Sequence, residues 1–137
     1  MINQFQVLRV KMPLYQVVLP LALGGSIYAF FRDRDNILFY VIDQIAPCNF
    51  LPQLHWFDGT WIANSLPDGL WAYASTCWLL QIWKSNCIFT VLPVVFAVAS
   101  ELGQWAYIIP GTFDPTDLYF YFMGYLLARL RTNEETG

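Results

Sequence analysis

Long apolar stretches, separated by short polar ones, dominate the pattern of this chain. The stretch 12–31 carries no charged residue, and the stretch 85–111 carries a single charged residue, Glu101. About 20 apolar residues in a helix, each rising 1.5 Å, match the roughly 30 Å hydrocarbon core of a bilayer. The pattern therefore predicts membrane-spanning helices rather than the core helices of a soluble domain.

Helix-starting residues divide the pattern into segments. Pro67 and Pro115 each stand in a first helical turn, where proline costs least, behind Ser65 and Asp114 as N-cap residues. The predicted helices run over about 12–31, 66–83, 87–109 and 115–131. The sequence thus predicts an all-α integral membrane bundle of about four transmembrane helices, in a single domain that covers residues 1–137.

The segment 35–64, between the first and second predicted helices, has a different character. Its apolar run 37–42 is too short to span a bilayer, and Trp56 and Trp61 stand on either side of the charged Asp58. Amphipathic aromatic side chains are typical of the headgroup layer. We therefore expect an extracytoplasmic interfacial helix and loop here. Partial insertion of 37–62 as a fifth segment is the alternative.

Composition and charge support the membrane interpretation. Only 12% of the residues are charged, against about 25% in an average soluble domain, and the mean hydropathy is +0.43. A net charge of −3 without a basic patch argues against a nucleic-acid partner. Three scattered cysteines and one histidine argue against a disulfide scaffold, zinc or haem, so no cofactor is expected.

The basic residues indicate an orientation. Those that would lie inside, if the N-terminus is cytoplasmic, are Arg9, Lys11, Lys84, Arg129 and Arg131, against Arg32 and Arg34 outside. Positive charge gathers on the cytoplasmic side of membrane proteins. Both termini are therefore expected in the cytoplasm of a multi-pass plasma-membrane protein. A cleaved signal peptide is the competing interpretation of 12–31, but the charged residues 32–35 that follow do not resemble a cleavage site.

Glu101 is difficult to explain by packing alone. It precedes Ile109, the predicted outer end of its helix, by eight residues, or roughly 12 Å. A carboxyl group at mid-membrane depth costs about 2.5–3.5 kcal/mol on insertion scales, so it must face the bundle. Gln104 lies one turn nearer the outside on the same face. The two residues predict a polar cleft between helices.

The fourth predicted helix offers a matching face. Asp117, Tyr121, Gly124 and Ala128 recur at the spacing of one helical face. The small residues Gly124 and Ala128 permit close packing, which we expect against the third predicted helix. That packing would set the hydroxyl of Tyr121 near Glu101.

An outward-opening cleft between these two helices is the predicted ligand-binding site. Its candidate residues are Glu101, Gln104, Asp114, Asp117, Tyr121, Arg32 and Arg34. Arg32 and Arg34 would contact phosphate. Asp114 and Asp117 are more simply explained as a helix cap and a dipole partner, and the alternative is that they are oxygen ligands of a divalent cation.

Short motifs follow one another in a fixed order on the last two predicted helices. They are Glu101-x-x-Gln104, then Pro110-Gly111-x-Phe113-Asp114-x-x-Asp117, then Gly124. Over about 99–128 they resemble the signature of the VanZ-like family of small bacterial integral membrane proteins, and 65–71 is similar to the start of the second helix in bacterial members. The chain departs from the family pattern at Thr112, Tyr121 and Ala128, where arginine, asparagine and glycine are frequent. The resemblance implies a protein of the bacterial cell envelope, related to resistance against teicoplanin-type glycopeptide antibiotics.

The leading hypothesis is a non-enzymatic envelope protein that binds the headgroup of a membrane lipid or of a lipid-linked cell-wall precursor. One alternative is a hydrolase of a lipid-linked substrate with Glu101 as general base. The sequence shows no arrangement of nucleophile, base and orienting group for it, and its one histidine, His55, lies in the segment 35–64. Another is a proton-coupled transporter of lipid or solute in which Glu101 titrates. The surface at Gly24 and Gly25 permits close helix approach, so a homo-oligomer is an alternative to a monomer.

Overall fold

The structure, a computed structural model, describes residues 13–31, 44, 59–83, 87–109 and 111–136, with side chains described as far as residue 132. Throughout these residues the chain is helical between short connections, without a β-strand, which confirms the all-α prediction. The helices are α1 (Tyr15–Phe31), α2 (Trp61–Asn64), α3 (Leu66–Ile82), α4 (Leu92–Trp105) and α5 (Pro115–Thr136), with a 3₁₀ turn (Ile88–Val91) before α4. Most of the predicted interfacial segment 35–64 lies outside the described residues.

Helix α4 ends earlier than predicted. The apolar run continues to Ile109, but the last helical residue is Trp105. Tyr107 adopts a left-handed conformation with φ of 57°. The backbone N–H of Ile108 donates to the carbonyl oxygen of Gly103 at 2.8 Å, and the backbone N–H of Tyr107 donates to the backbone carbonyl oxygen of Gln104 at 3.0 Å. This pair of bonds is a Schellman motif, which satisfies the last carbonyls and stops the helix.

Replacing Tyr107 with glycine is expected to stabilise the protein. The left-handed conformation costs a residue with a Cβ roughly 1–2 kcal/mol, whereas glycine adopts it without strain. Glycine loses more backbone conformational entropy on folding, which offsets part of this gain. The net gain should be about 1 kcal/mol, measured as a higher melting temperature in detergent. Tyr107→Ala keeps the strained backbone and should have the same melting temperature as the wild type. Equal shifts for both variants would place the effect in the side chain instead.

Helix α3 lies at the centre of the bundle, with α1 and α5 packed against it. Gly24 of α1 faces α3, and a Cβ added there would lie 3.4 Å from the carbonyl oxygen of Pro67. Gly124 of α5 faces α3 still more closely, because an added Cβ would overlap the carbonyl oxygen of Gly69. Small residues that let helix backbones approach are typical of helix packing in membranes.

The small-residue face of α5 does not pack where the sequence indicated. Gly124 and Ala128 were expected against the helix of Glu101, but both face α3. Ala128 is fully buried in a cluster with Val17, Ala74 and Cys77. The prediction was wrong because it did not weigh Gly69, the other glycine of this helix contact.

The start of α3 also differs from the prediction. Ser65 has helical backbone angles, φ of −96° and ψ of −29°, and its side chain makes no capping hydrogen bond. Its backbone N–H donates to the carbonyl of Trp61 at 2.9 Å. Because α2 runs almost directly into α3, the first turn of α3 already has backbone acceptors behind it. The predicted serine cap is therefore wrong.

The outer surface of α4 is apolar and exposed. Val95, Phe96 and Leu102 all stand away from the bundle. The segment Ile88–Trp105 has a mean hydropathy of 1.5, and only 22% of it is buried. Among the described residues it is the one helix long and apolar enough to cross a membrane, while Tyr15–Phe31 is apolar but shorter. Membrane association therefore has some structural support, and the full four-helix span remains a prediction.

Candidate functional site

Three helix ends meet at one end of the bundle. Asp68 lies in the first turn of α3, Asp117 lies in the first turn of α5, and Glu101 lies near the end of α4. Helices α3 and α5 run parallel, since Gly69 meets Gly124 and Ala74 meets Ala128 farther along both helices. Their N-terminal turns therefore lie side by side. With Tyr121, these three carboxylates form what we call the acidic cluster.

Glu101 is the most deeply buried acid of the described residues, with 2% of its surface exposed. Its Oε2 accepts a hydrogen bond from the backbone N–H of Asp114 at 3.2 Å. The bond ties the end of α4 to the residue that starts α5. Glu101 thus faces the bundle, as predicted, and it also fixes the loop between the two helices.

Asp114 caps α5 in the manner predicted. Its Oδ1 accepts the backbone N–H of Thr116 at 2.8 Å, and its carbonyl accepts that of Asp117 at 3.1 Å. The two bonds satisfy N–H groups that a helix start otherwise leaves without partners. Asp117 occupies the third helical position, where its negative charge is favoured by the helix dipole. Its side chain is only 8% exposed.

Tyr121 lies at the centre of the acidic cluster. Its hydroxyl donates a hydrogen bond to the Asp68 carboxylate. The sequence predicted that this hydroxyl lies near Glu101. The ring of Tyr121 does pack against Ala97, one turn before Glu101 on α4, and the position of the hydroxyl relative to Glu101 stays a prediction. Packing with Ala72 and Ala97 buries the Tyr121 ring. The cluster therefore has apolar contacts around the Tyr121 ring and carboxylates at the helix ends beside it.

Trp71 forms the exposed side of this site. Its ring meets that of Tyr121 edge to face, with centroids 6.5 Å apart and planes at 81°. Trp71 is 42% exposed, and the neighbouring Asp68 is half-buried. An aromatic face beside carboxylates attracts organic cations, through the ring quadrupole and through charge. The site therefore suits an ammonium group that approaches from the Trp71 side.

Gln104 supports the loop rather than the cluster. Gly111 has φ of 137°, a region open to glycine, and its Cα lies against Gln104. A Cβ at that position would stand 2.8 Å from the side-chain amide carbon of Gln104. The close approach explains why glutamine and glycine occur at these positions of the motif.

Asp68 is the site residue that the sequence analysis missed. It was taken only as the acidic residue of a helix start. The signal was nevertheless present, because 65–68 and 114–117 share an arrangement in which a carboxylate follows the cap position by three residues. Parallel packing of the two helices brings these carboxylates together. Arg32 and Arg34, the predicted phosphate contacts, lie outside the described residues.

A metal site finds no support in this region. No group of three or more His, Cys, Asp and Glu side chains in the described part of the chain is arranged to hold a metal ion. One oxygen of Asp114, a predicted cation ligand, already accepts the N–H of Thr116.

The basic residue Arg129 is too far along its helix to neutralise the acidic cluster. It follows Asp117 by twelve positions, which places it roughly 18 Å away along α5.

The acidic cluster therefore concentrates negative charge, one hydroxyl and an exposed aromatic ring at a single end of the bundle. This chemistry is suited to holding a cationic group, since the carboxylates of Asp68, Glu101 and Asp117 offer negative charge and Trp71 offers an aromatic face.

Comparisons of the chain with protein-family models, curated proteins and solved structures found no match.

Proposed function

We propose that the chain is a multi-pass membrane protein whose acidic cluster binds the ammonium headgroup of a lipid. The membrane part rests on the exposed apolar surface. Phe96, near the middle of Ile88–Trp105, is 66% exposed, and α1 exposes Leu19 and Leu23 in the same way. Large apolar side chains exposed on more than one helix are unfavourable in water and favourable against lipid chains. Glycine contacts on both sides of α3 fit the same environment.

The headgroup part rests on one observation, the placement of Asp68, Glu101 and Asp117 at three helix ends that meet at the same end of the bundle as the exposed Trp71. Buried carboxylates in a medium of low polarity are stabilised by a nearby cation. Trp71 adds a π face for the same cation. A lipid amine supplies the cation at the depth of the interface, where Trp71 lies at one end of the bundle.

The VanZ-like resemblance fits this proposal. Its motif residues contact one another, since Glu101 accepts the N–H of Asp114 and Gln104 packs on Gly111. These two contacts join the end of α4 to the loop and the start of α5, whereas Gly124 of the motif packs on α3. We accordingly propose a VanZ-like protein of the bacterial plasma membrane with both termini in the cytoplasm. A relation to teicoplanin-type resistance belongs to the same proposal and rests on the resemblance alone.

Lipid retention tests the headgroup proposal. Wild-type protein is reconstituted in equal amounts of phosphatidylethanolamine and phosphatidylglycerol, extracted into detergent, and examined by native mass spectrometry. We expect retained phosphatidylethanolamine to exceed phosphatidylglycerol. Asp68→Asn should reduce that preference about tenfold, corresponding to about 1.4 kcal/mol. Asparagine preserves the shape and removes the charge.

A matched pair of tryptophans supplies the control. Trp71 and Trp78 are both on α3 and are 42% and 48% exposed, but only Trp71 contacts Tyr121. Trp71→Leu should reduce the preference several-fold, as expected for a cation–π contact, and Trp78→Leu should leave it unchanged. Equal retention of both lipids by the wild type, or equal losses in the two variants, would rule out the acidic cluster as a headgroup site.

A further inference from the structure

An open groove of about 520 Å³ lies on the side of α3 between α1 and α5. Leu66, Leu70 and Tyr73 of α3 form its floor. Its walls include Pro20 of α1 and Met123 of α5. Because α1 and α5 both pack on α3, the space between them is open on the side away from α3. The groove is a consequence of this three-helix arrangement and is separate from the acidic cluster.

The chemistry of the groove selects an apolar occupant. Its named lining residues are hydrocarbon or aromatic, and its volume lies within the range of small-molecule sites, about 300–1,000 Å³. At membrane depth, water in such a groove would find few hydrogen-bonding partners. Lipid acyl chains are the apolar molecules present at this depth in the greatest amount.

The dimensions of the groove point to a single leaflet. Along α5 it extends from Tyr119 to Leu127, eight residues or roughly 12 Å. Half of a hydrocarbon core about 30 Å thick is about 15 Å. Trp61 stands at the outer end, with its ring stacked on Phe120 at a centroid distance of 5.6 Å. Tryptophan in this position is typical of the membrane–water interface.

The groove begins at the depth of the acidic cluster. Gly69 and Phe120 line the groove, and each is the chain neighbour of a cluster residue, Asp68 and Tyr121 respectively. A molecule with an amine at one end and a hydrocarbon chain at the other would therefore find both features at the same level. Both helices that border the groove, α1 and α5, also expose large apolar side chains, among them Leu19 and Phe122.

We propose that this groove holds one acyl chain of a membrane lipid, in the leaflet on the side of the acidic cluster. The inference rests on the proposed membrane location and extends the proposed headgroup function to a second part of the lipid. The apolar lining attracts the chain of any lipid, and the acidic cluster would add a preference for a lipid with an amine headgroup. The exposed surface of α4, by contrast, would contact bulk lipid that exchanges rapidly.

Photocrosslinking from the acyl chain tests the proposal. Full-length protein in vesicles receives phosphatidylethanolamine with a diazirine in the middle of one acyl chain, and labelled peptides are located by mass spectrometry. We expect labels on the groove residues Leu70, Met123 and Leu127 to exceed those on Phe96 and Leu102 of α4 at least fivefold. Even labelling of all exposed apolar faces would overturn the proposal.

A neighbouring pair on α5 controls for the variant itself. Met123 lines the groove, whereas the adjacent Phe122 is exposed and does not line it. Met123→Trp should fill the groove and lower labelling of Leu70 at least threefold, and Phe122→Trp should not. If Met123→Trp fails to fold, the labelling map of the wild type still decides the question.

The same diazirine chain on phosphatidylglycerol separates this inference from the headgroup proposal. Groove labelling by both lipids to the same extent would support the chain site and contradict amine recognition at the acidic cluster. A preference for phosphatidylethanolamine with labels distributed over all helices would support amine recognition and overturn the chain site.

Discussion

Gly124→Ala is expected to destabilise the bundle more than any other single methyl group added to it. The new Cβ would overlap the carbonyl oxygen of Gly69, which is backbone and cannot rotate away. The two helices would have to separate along their closest contact. Overpacking in a rigid core costs typically 1–3 kcal/mol, and loss of a backbone approach removes dispersion contacts on both helices. We expect a loss of about 3 kcal/mol, seen as a lower melting temperature in detergent.

Gly25→Ala is the matched control for that substitution. Gly25 is also in a helix, but it is exposed and has no atom within 4 Å of an added Cβ. Alanine is favoured over glycine in a helix by about 1 kcal/mol. The two glycine-to-alanine changes should therefore shift the melting temperature in opposite directions. If Gly124→Ala melts at or above the wild-type temperature, α3 and α5 are not in contact at this point.

Phe96→Lys is expected to prevent normal membrane insertion. Phe96 lies near the middle of Ile88–Trp105 and is 66% exposed, so its side chain would face hydrocarbon. A lysine at the centre of a span costs about 2.5–3.5 kcal/mol on insertion scales, which corresponds to on the order of 100-fold in the insertion equilibrium. The measurement is the fraction of protein that resists alkaline extraction from membranes, together with glycosylation mapping of the loop after α4.

The interpretation of this experiment depends on a second lysine. Tyr107→Lys places the same charge at an almost fully exposed position two residues after the end of α4. It should insert as the wild type does. A soluble protein would tolerate both lysines, because each side chain would point into water. Normal yield and soluble behaviour of Phe96→Lys would therefore contradict the membrane proposal.

The helix bounds could be predicted because local signals determine them. Pro67 and Pro115 mark the starts of α3 and α5 within a residue or two. Apolar runs were a poorer guide to the ends, because α5 continues through polar residues to Thr136, five residues past its predicted end at 131. The end of α4 was missed because Tyr107 is an unusual residue for a left-handed stop, and a glycine there would have been recognised. The cap at Asp114 was correctly identified, since its bonds reach only two or three residues along the chain.

Helix partners were less predictable because they depend on two surfaces at once. The face of Gly124 and Ala128 was recognised, but it packs on α3, opposite Gly69 and Ala74. Apolar surface alone gives little preference for one neighbouring helix over another, so the fit between small residues on the two helices decides which helices pair. The acidic cluster was found only in part for the same reason. Asp68 joins it through the packing of α3, which no pattern within the last two helices could indicate.

The central place of α3 has a consequence for biosynthesis. A ribosome delivers α1 and α3 first, and Gly24 lets these two associate before the remainder of the chain exists. The surface of α3 at Gly69 then stays vacant until α5, the last helix, emerges from the exit tunnel. During that interval the partly made protein exposes the backbone at Gly69, which Gly124 covers in the finished fold, so the contact between α3 and α5 can form only after synthesis of α5.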